Sequence, residues 1–208
     1  MDTLECIKTR RSVRKFKDKA VEWEKVVNIL HAGRLAPSAG NLQNWKFIAI
    51  REEENRKKIA EAALQQKWME KAPVHILIIA EPEKAQRFYG VRGERLYTIQ
   101  NCAAVAENML LAAHAQGLGA CWVSAFDEDT IRRAVNLPED AIAHAIIVIG
   151  YSDENPVMPP KARIEHITYI ERWWNRRKIA PYGWYSLYVE KGAKDAGKFL
   201  KKMVGGKK

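Results

Sequence analysis

Three short segments of this 208-residue chain hold residue types that could do chemistry. The first is Thr9-Arg10-Arg11-Ser12-Val13-Arg14-Lys15-Phe16, with three guanidiniums and a hydroxyl between Arg10 and Arg14. Arginine offers forked donors matched to phosphate oxygens. In an extended stretch Arg10, Ser12 and Arg14 share one side at period two. The same residues also read as a solvated basic turn. The second segment, Ala36-Pro37-Ser38-Ala39-Gly40-Asn41-Leu42-Gln43-Asn44-Trp45, gathers small residues, amides and a hydroxyl. Such a loop can bring N–H groups up to a planar polar ring, or serve only to stop a helix. The third, Gly117 to Phe126, has Gly117 and Gly119 in imitation of a dinucleotide fingerprint. It lacks the third glycine and runs from helix to strand, the reverse of the required order. Gly117 is better explained as a helix C-cap.

Other chemistries find no support. No GxxxxGK[ST], GxSxG or HExxH occurs, and His31, His75, His114, His144 and His166 show no ligand spacing, so no metal site is expected. Cys6, Cys102 and Cys121 are widely separated in apolar surroundings and read as reduced core residues.

Four apolar runs read as buried strands: Trp45 to Arg51, Val74 to Ala80, Ala120 to Ser124 and His144 to Tyr151. Helical faces lie before and between them. Trp23, Val26, Val27 and Leu30 make one, and Ile99, Cys102, Ala103, Ala106, Met109, Leu110 and Ala113 make a longer one. Asp127 is an N-cap for a helix ending near Asn136. From Asn55 to Met69 composition favours helix. The alternation predicts a layered α/β or α+β domain.

Lys and Arg number 35 against 25 Asp and Glu, a net of +10, with 47% hydrophobic and 29% charged residues. That is a globular composition, and it excludes collagen-like, disordered and disulfide-scaffold classes. The charge lies in two islands. Lys8 to Lys19 holds seven basic residues and one acid, and Trp173 to Lys208 holds ten and two. The N-terminus lacks a signal-peptide core, and no apolar run reaches the ~20 residues of a membrane helix. A cytoplasmic protein with no membrane association is expected.

Together the segments RRSVRKF, APSAGNLQNW, GLGACWVSAF, HAIIVIGY and PPKAR, in that order and spacing, resemble the nitroreductase family of FMN-dependent oxidoreductases. The resemblance implies an α+β three-layer sandwich with a mixed central β-sheet flanked by helices, forming an intertwined homodimer with FMN at the interface. It assigns Arg10, Arg11, Ser12 and Arg14 to the FMN phosphate, ribityl chain or pyrimidine edge, and Lys161 and Arg163 to the phosphate. Pro37, Ser38 and Ala39, with Asn41 and Gln43, match the loop that packs on the isoalloxazine from the other subunit. Gln66 aligns with an amide near the flavin, and Ser124 and Ala125 fall where backbone N–H groups approach flavin N5 and O4. The family commonly has Pro where this chain has Asn44.

By the same resemblance NADH or NADPH delivers hydride to flavin N5 and leaves. A small planar electron-poor acceptor (nitroaromatic, quinone or enone) then takes the electrons on the same face, in ping-pong order. The flavin carries the chemistry, so no side chain need act as nucleophile. The candidate roof over it runs from Glu81 to Tyr97, with Arg87, Phe88, Tyr89, Arg92, Arg95 and Tyr97, where Phe88, Tyr89, Arg92 and Tyr97 are candidates for substrate contact. Residues 1–172 form the expected FMN domain and 173–208 a basic aromatic extension ending in a short amphipathic helix. A reductive dehalogenase or flavin-consuming enzyme on this fold is an alternative. So is a nucleic-acid-binding module using the extension, where Trp173, Trp174, Tyr182, Trp184, Tyr185 and Tyr188 interleave with Arg176, Arg177 and Lys178.

Overall fold

The structure, a computed structural model, describes residues 1–175. They fall into one unit, Met1–Met158, and a second beginning at Pro159.

The sheet of the first unit follows from its alternating aliphatics. Strands β1 (Trp45–Ile50), β2 (Val74–Ala80), β3 (Gly119–Val123) and β4 (Ile142–Gly150) lie in the order β1-β2-β4-β3, each pair antiparallel. β2 is buried at every position, because a central strand covered on both faces has no solvent side. Ile76 and Ile78 point to one face with Ala145, Ile147 and Ile149. Leu77 and Ile79 point to the other with Ile146 and Val148.

Helices cover both faces. On the first face α2 (Trp23–Arg34) and α5 (Thr98–Ala115) contribute Val26, Ile29, Val105, Ala106 and Met109. On the second, α3 (Glu53–Ala62) and α6 (Glu128–Val135) contribute Ile59, Ala60 and Ile131. This is the expected α+β three-layer sandwich. The expected mixed sheet is realised only at its margin. The four strands are wholly antiparallel, and the one parallel pairing among the described residues is a single bridge from Ser12 to Ala120, outside β3. The N-terminal segment pairs at Ser12 and again, antiparallel, where Phe16 faces Ser152 just beyond β4, so it adds two isolated bridges and no continuous fifth strand.

The helix ends obey their capping residues. Asp127 accepts the Thr130 N–H at 2.7 Å, and α6 stops at Asn136 in the left-handed conformation. Gly117 (φ 75°) ends α5 as predicted, with its N–H donating to His114 and the Leu118 N–H to Ala113. Two expectations need correction. α2 buries Val26, Ile29 and Gly33, while Trp23 lies on its outer face under the Arg51 guanidinium, 5.4 Å from the ring. Likewise Ile99 is half exposed, and α5 turns Thr98 and Asn101 inward instead. A further helix, α1 (Thr3–Thr9), is capped by Asp2 and follows no strong apolar period. α4 (Pro82–Arg92) starts with proline at its first turn and runs through a wide π-turn, Gly93–Tyr97, into α5.

The three cysteines are buried; burial pushes the Cys102 thiol up to about 12. No described helix is long and apolar enough to cross a membrane. In the second unit α7 (Ile164–Ile167) is a single turn, followed by Tyr169, Trp173 and Trp174 clustered in tilted and edge-to-face contacts with centroids 4.5–6.1 Å apart. The expectations for Arg176, Arg177, Lys178, Tyr182, Trp184, Tyr185, Tyr188 and the terminal helix lie outside the described residues.

Candidate functional site

Residues 10–14 leave α1 and run along the outer edge of the sheet. The Val13 N–H donates to the Ala120 carbonyl at 3.0 Å. Gly119 permits this approach: a Cβ there would stand 2.9 Å from the Val13 side chain. Arg10, Ser12 and Arg14 gather around the Cys121 thiol on β3. Burial pushes that thiol up while Arg14, the Ser12 hydroxyl and Arg10 pull it down. Arg10 Nε is buried without a hydrogen-bond partner, the Glu107 carboxylate standing 3.7 Å away. Arg11 turns back, donating to the Lys8 and Arg10 carbonyls. His114 lies beside them, 2.8 Å from the Thr9 hydroxyl, its pKa lowered by burial and then by Arg10 and Arg11. The Glu154 carboxylate accepts the N–H groups of Arg14 (2.5 Å) and Lys15 (3.0 Å), fixing the turn in an extended path.

Gln66 belongs to the same neighbourhood. Two consecutive left-handed residues, Leu64 (φ 56°) and Gln65 (φ 59°), break the chain after α3 and present it, a conformation that costs non-glycine residues roughly 1–2 kcal/mol each. The Gln66 amide donates to the Ala125 carbonyl at 3.3 Å and accepts from the Trp68 indole at 3.3 Å. Trp68 stacks on Phe16 with ring centroids 6.4 Å apart, and Arg14 lies over the same indole at 6.0 Å. Ser124, at the end of β3, accepts from the Trp122 indole at 2.6 Å. Arg10, Ser12, Arg14, Gln66, Ser124 and Ala125 thus share the β3 edge.

The loop from Pro37 to Asn44 stands at the other edge, before β1. Three of four consecutive residues have positive φ: Gly40 (φ 55°), Asn41 (φ 54°) and Gln43 (φ 48°). The Ser38 hydroxyl accepts the Gln43 N–H at 3.0 Å, and the Gln43 side chain folds back on Asn41. The roof segment reaches this loop. A Cβ on Gly40 would stand 2.5 Å from the Tyr89 hydroxyl. Tyr89 meets Tyr97 edge to face at 5.2 Å, and Arg92 donates to the Tyr97 hydroxyl at 3.2 Å. Phe88 is exposed. Tyr89, Arg92 and Tyr97 therefore form one aromatic, basic cluster that reaches the loop where Tyr89 approaches Gly40.

The two groups do not meet within one chain. Ser12 and Trp45 lie four strand spacings apart across the sheet, about 19 Å, and the Trp45 and Ala120 ends of the ladder differ by roughly 20 Å along the strands. Lys161 and Arg163 belong to the second unit, where Arg163 precedes α7 and pairs with Glu165 at 3.7 Å.

Sequence reasoning did not single out Trp68, Glu154, Thr98 or Asn101. The last two carried a signal: polar residues at i and i+3 on an otherwise apolar α5 face. Trp68 and Glu154 carried none, since their partners are distant in sequence.

The chain is similar to several known proteins. The family model described as the nitroreductase family matches residues 7–151. A Methanothermobacter thermautotrophicus protein, whose name pairs NADH dehydrogenase with NAD(P)H nitroreductase, is 39% identical over 162 residues, 75% of this chain and 80% of the relative. A Bacillus subtilis FMN reductase [NAD(P)H] is 24% identical over 194 residues, 87% of this chain and 78% of its own. Among solved structures, an FMN-dependent nitroreductase from Clostridium difficile R20291 superimposes with a TM-score of 0.72 at 29% identity, covering 82% of this chain and all of its own. With the family model spanning more than half the chain, and the sandwich matching a solved member, this protein belongs to the nitroreductase family.

Proposed function

We propose that the protein is an FMN-dependent NAD(P)H oxidoreductase that reduces a small planar electron-poor acceptor, a nitroaromatic, quinone or enone. The observation that carries this reading is the Arg10–Arg14 edge. A buried guanidinium nitrogen without a hydrogen-bond partner, a serine hydroxyl and a second arginine converge there, on a strand leading into Ser124 and Ala125. Such a donor set fits a phosphomonoester dianion, which takes charge-assisted bonds from forked donors. Arg10, Ser12 and Arg14 would hold the phosphate and ribityl chain, while Gln66, Ser124 and Ala125 would face the ring's polar edge. When bound, the flavin supplies two-electron transfer between NAD(P)H and the acceptor. The chain's own residues bind and orient: Glu154 holds the Arg14 backbone, and Trp68 holds both the Arg14 guanidinium and the Gln66 amide. Residues 1–172 make up this flavin domain, with 173–208 as its extension.

A second copy completes the site. Residues 37–43 stand too far from the β3 edge for one mononucleotide to touch both in one chain. The reading is therefore a homodimer in which each flavin lies between one subunit's arginine edge and the other's loop. Tyr89, Arg92 and Tyr97 then flank the acceptor, shield it from water and offer a cation to a nicotinamide phosphate.

Arg10 and Arg14 replaced together by alanine remove two charge-assisted contacts of about 1.5–3 kcal/mol each. FMN affinity, read from quenching of flavin fluorescence, should fall at least ~100-fold. Unchanged affinity would refute the phosphate assignment.

A further inference from the structure

Four polar residues are buried among the described residues, and three of them, Asn44, Thr98 and Asn101, lie together. They form one directed chain of hydrogen bonds. The Ala39 N–H donates to Asn101 Oδ1 at 3.0 Å. Asn101 Nδ2 donates to Asn44 Oδ1 at 2.7 Å. Asn44 Nδ2 donates to Thr98 Oγ1 at 3.0 Å, and Thr98 Oγ1 donates to the Gly93 carbonyl at 2.9 Å. The Glu81 N–H, just before α4, also bonds the Asn44 carbonyl at 3.0 Å. One end of the chain is thus the backbone of the 37–43 loop. The other is the π-turn carrying Tyr97, whose ring meets that of Tyr89, which itself rests on Gly40.

Each bond in such a series polarises the next, and each buried amide can point only one way, because reversing any one leaves a buried group unpaired. We infer that Asn44, Thr98 and Asn101 are positioning residues that lock the 37–43 loop and the Tyr89–Tyr97 wall into one body. The wall that selects the acceptor is then set in register with the loop that packs on the cofactor. Loosening either end should loosen both. This rests on the flavin reading for its consequence in catalysis, though the coupling itself is a property of the protein chain.

The test is hydrogen exchange on the full-length protein with Thr98→Val, which keeps the volume and removes the hydroxyl. Amides of residues 38–43 and of 88–97 should both exchange at least tenfold faster, with β3 and the 10–14 segment unchanged. Thr98→Ser should restore both. Asn101→Ala, entering from the other end, should give the same pair of responses. In turnover with a quinone, Thr98→Val should raise KM several-fold while kcat stays within about twofold, since distant positioning is lost and the reacting groups are not. A response confined to the segment next to the substitution overturns the coupling, and so does uniform acceleration that includes β3. If wild-type protein takes up no FMN, the flavin reading fails by itself, and the exchange pattern still decides the coupling.

Discussion

At the scale of single residues, the sequence pointed to the proposed donors: Arg10, Ser12 and Arg14 lie on one short segment beside β3, and Gln66 meets Ala125. What it could not mark were the groups that hold those donors. Trp68 and Glu154 act on Arg14 through contacts made only after folding, and nothing in their local sequence distinguishes them from surface residues. Asn44 becomes meaningful only with Thr98 and Asn101 beside it. The fourth buried polar residue, His75, has a different consequence. Its Nε2 donates to the Met69 carbonyl at 2.9 Å and its Nδ1 has no partner. Burial lowers its pKa from 6.5 to about 4. Above pH 6.5 neither the folded nor the unfolded chain protonates this group, so it contributes nothing. Below 6.5 the unfolded chain binds a proton that the folded chain refuses, and stability falls toward pH 4 by up to about 1.4 kcal/mol per unit. His114 and His144 are lowered in the same direction, first by burial. Urea unfolding should therefore show lower stability at pH 5 than at pH 7, with a shallower difference in His75→Gln. Identical pH dependence in the two proteins would contradict the assignment to His75.

At the scale of elements, the strands and caps were legible because each is a local rule. All four strands stand within a residue or two of their predicted limits, Asp127 caps α6, and Gly117 closes α5. Orientation was less legible. The buried face of α2 departs from the apolar pattern because Trp23, the largest apolar residue in it, finds its partner in Arg51 outside the core. Two glycines two residues apart separate local from tertiary effects. Gly117→Ala places a side chain at φ 75° with nothing within 4 Å, so stability should drop by about 1 kcal/mol with FMN affinity unchanged. Gly119→Ala drives a Cβ into Val13 at 2.9 Å and must displace residues 12–14. Overpacking costs typically 1–3 kcal/mol, and here FMN affinity should fall at least tenfold as well. Thermal melts and flavin titration of the two variants check this; equal affinity losses would show that the edge segment is not the binding element.

At the scale of the whole molecule, the net charge of +10 gains a partial explanation. The island from Lys8 to Lys19 supplies the arginine edge, while most of the second island lies outside the described residues. The proposed dimer rests on the distance between the β3 edge and the 37–43 loop, a separation that only the assembled sheet defines. It has a direct consequence for mixed dimers. Arg10→Ala/Arg14→Ala and a loop variant such as Gly40→Val should each lack both sites, yet a heterodimer of the two should regain one site, built from the unaltered half of each chain. Co-expression with distinct tags, followed by flavin content, would measure it; no recovery in the purified heterodimer would mean that each site is made within one chain.

The central claim, that this chain binds FMN and passes electrons from NAD(P)H to an acceptor, is tested most directly by anaerobic absorbance spectroscopy of the purified protein. The expected result is a bound flavin spectrum that bleaches on addition of NADH or NADPH and returns when a quinone or nitroaromatic is added. A colourless protein that takes up no FMN, or a bound flavin that neither nicotinamide reduces, would contradict it.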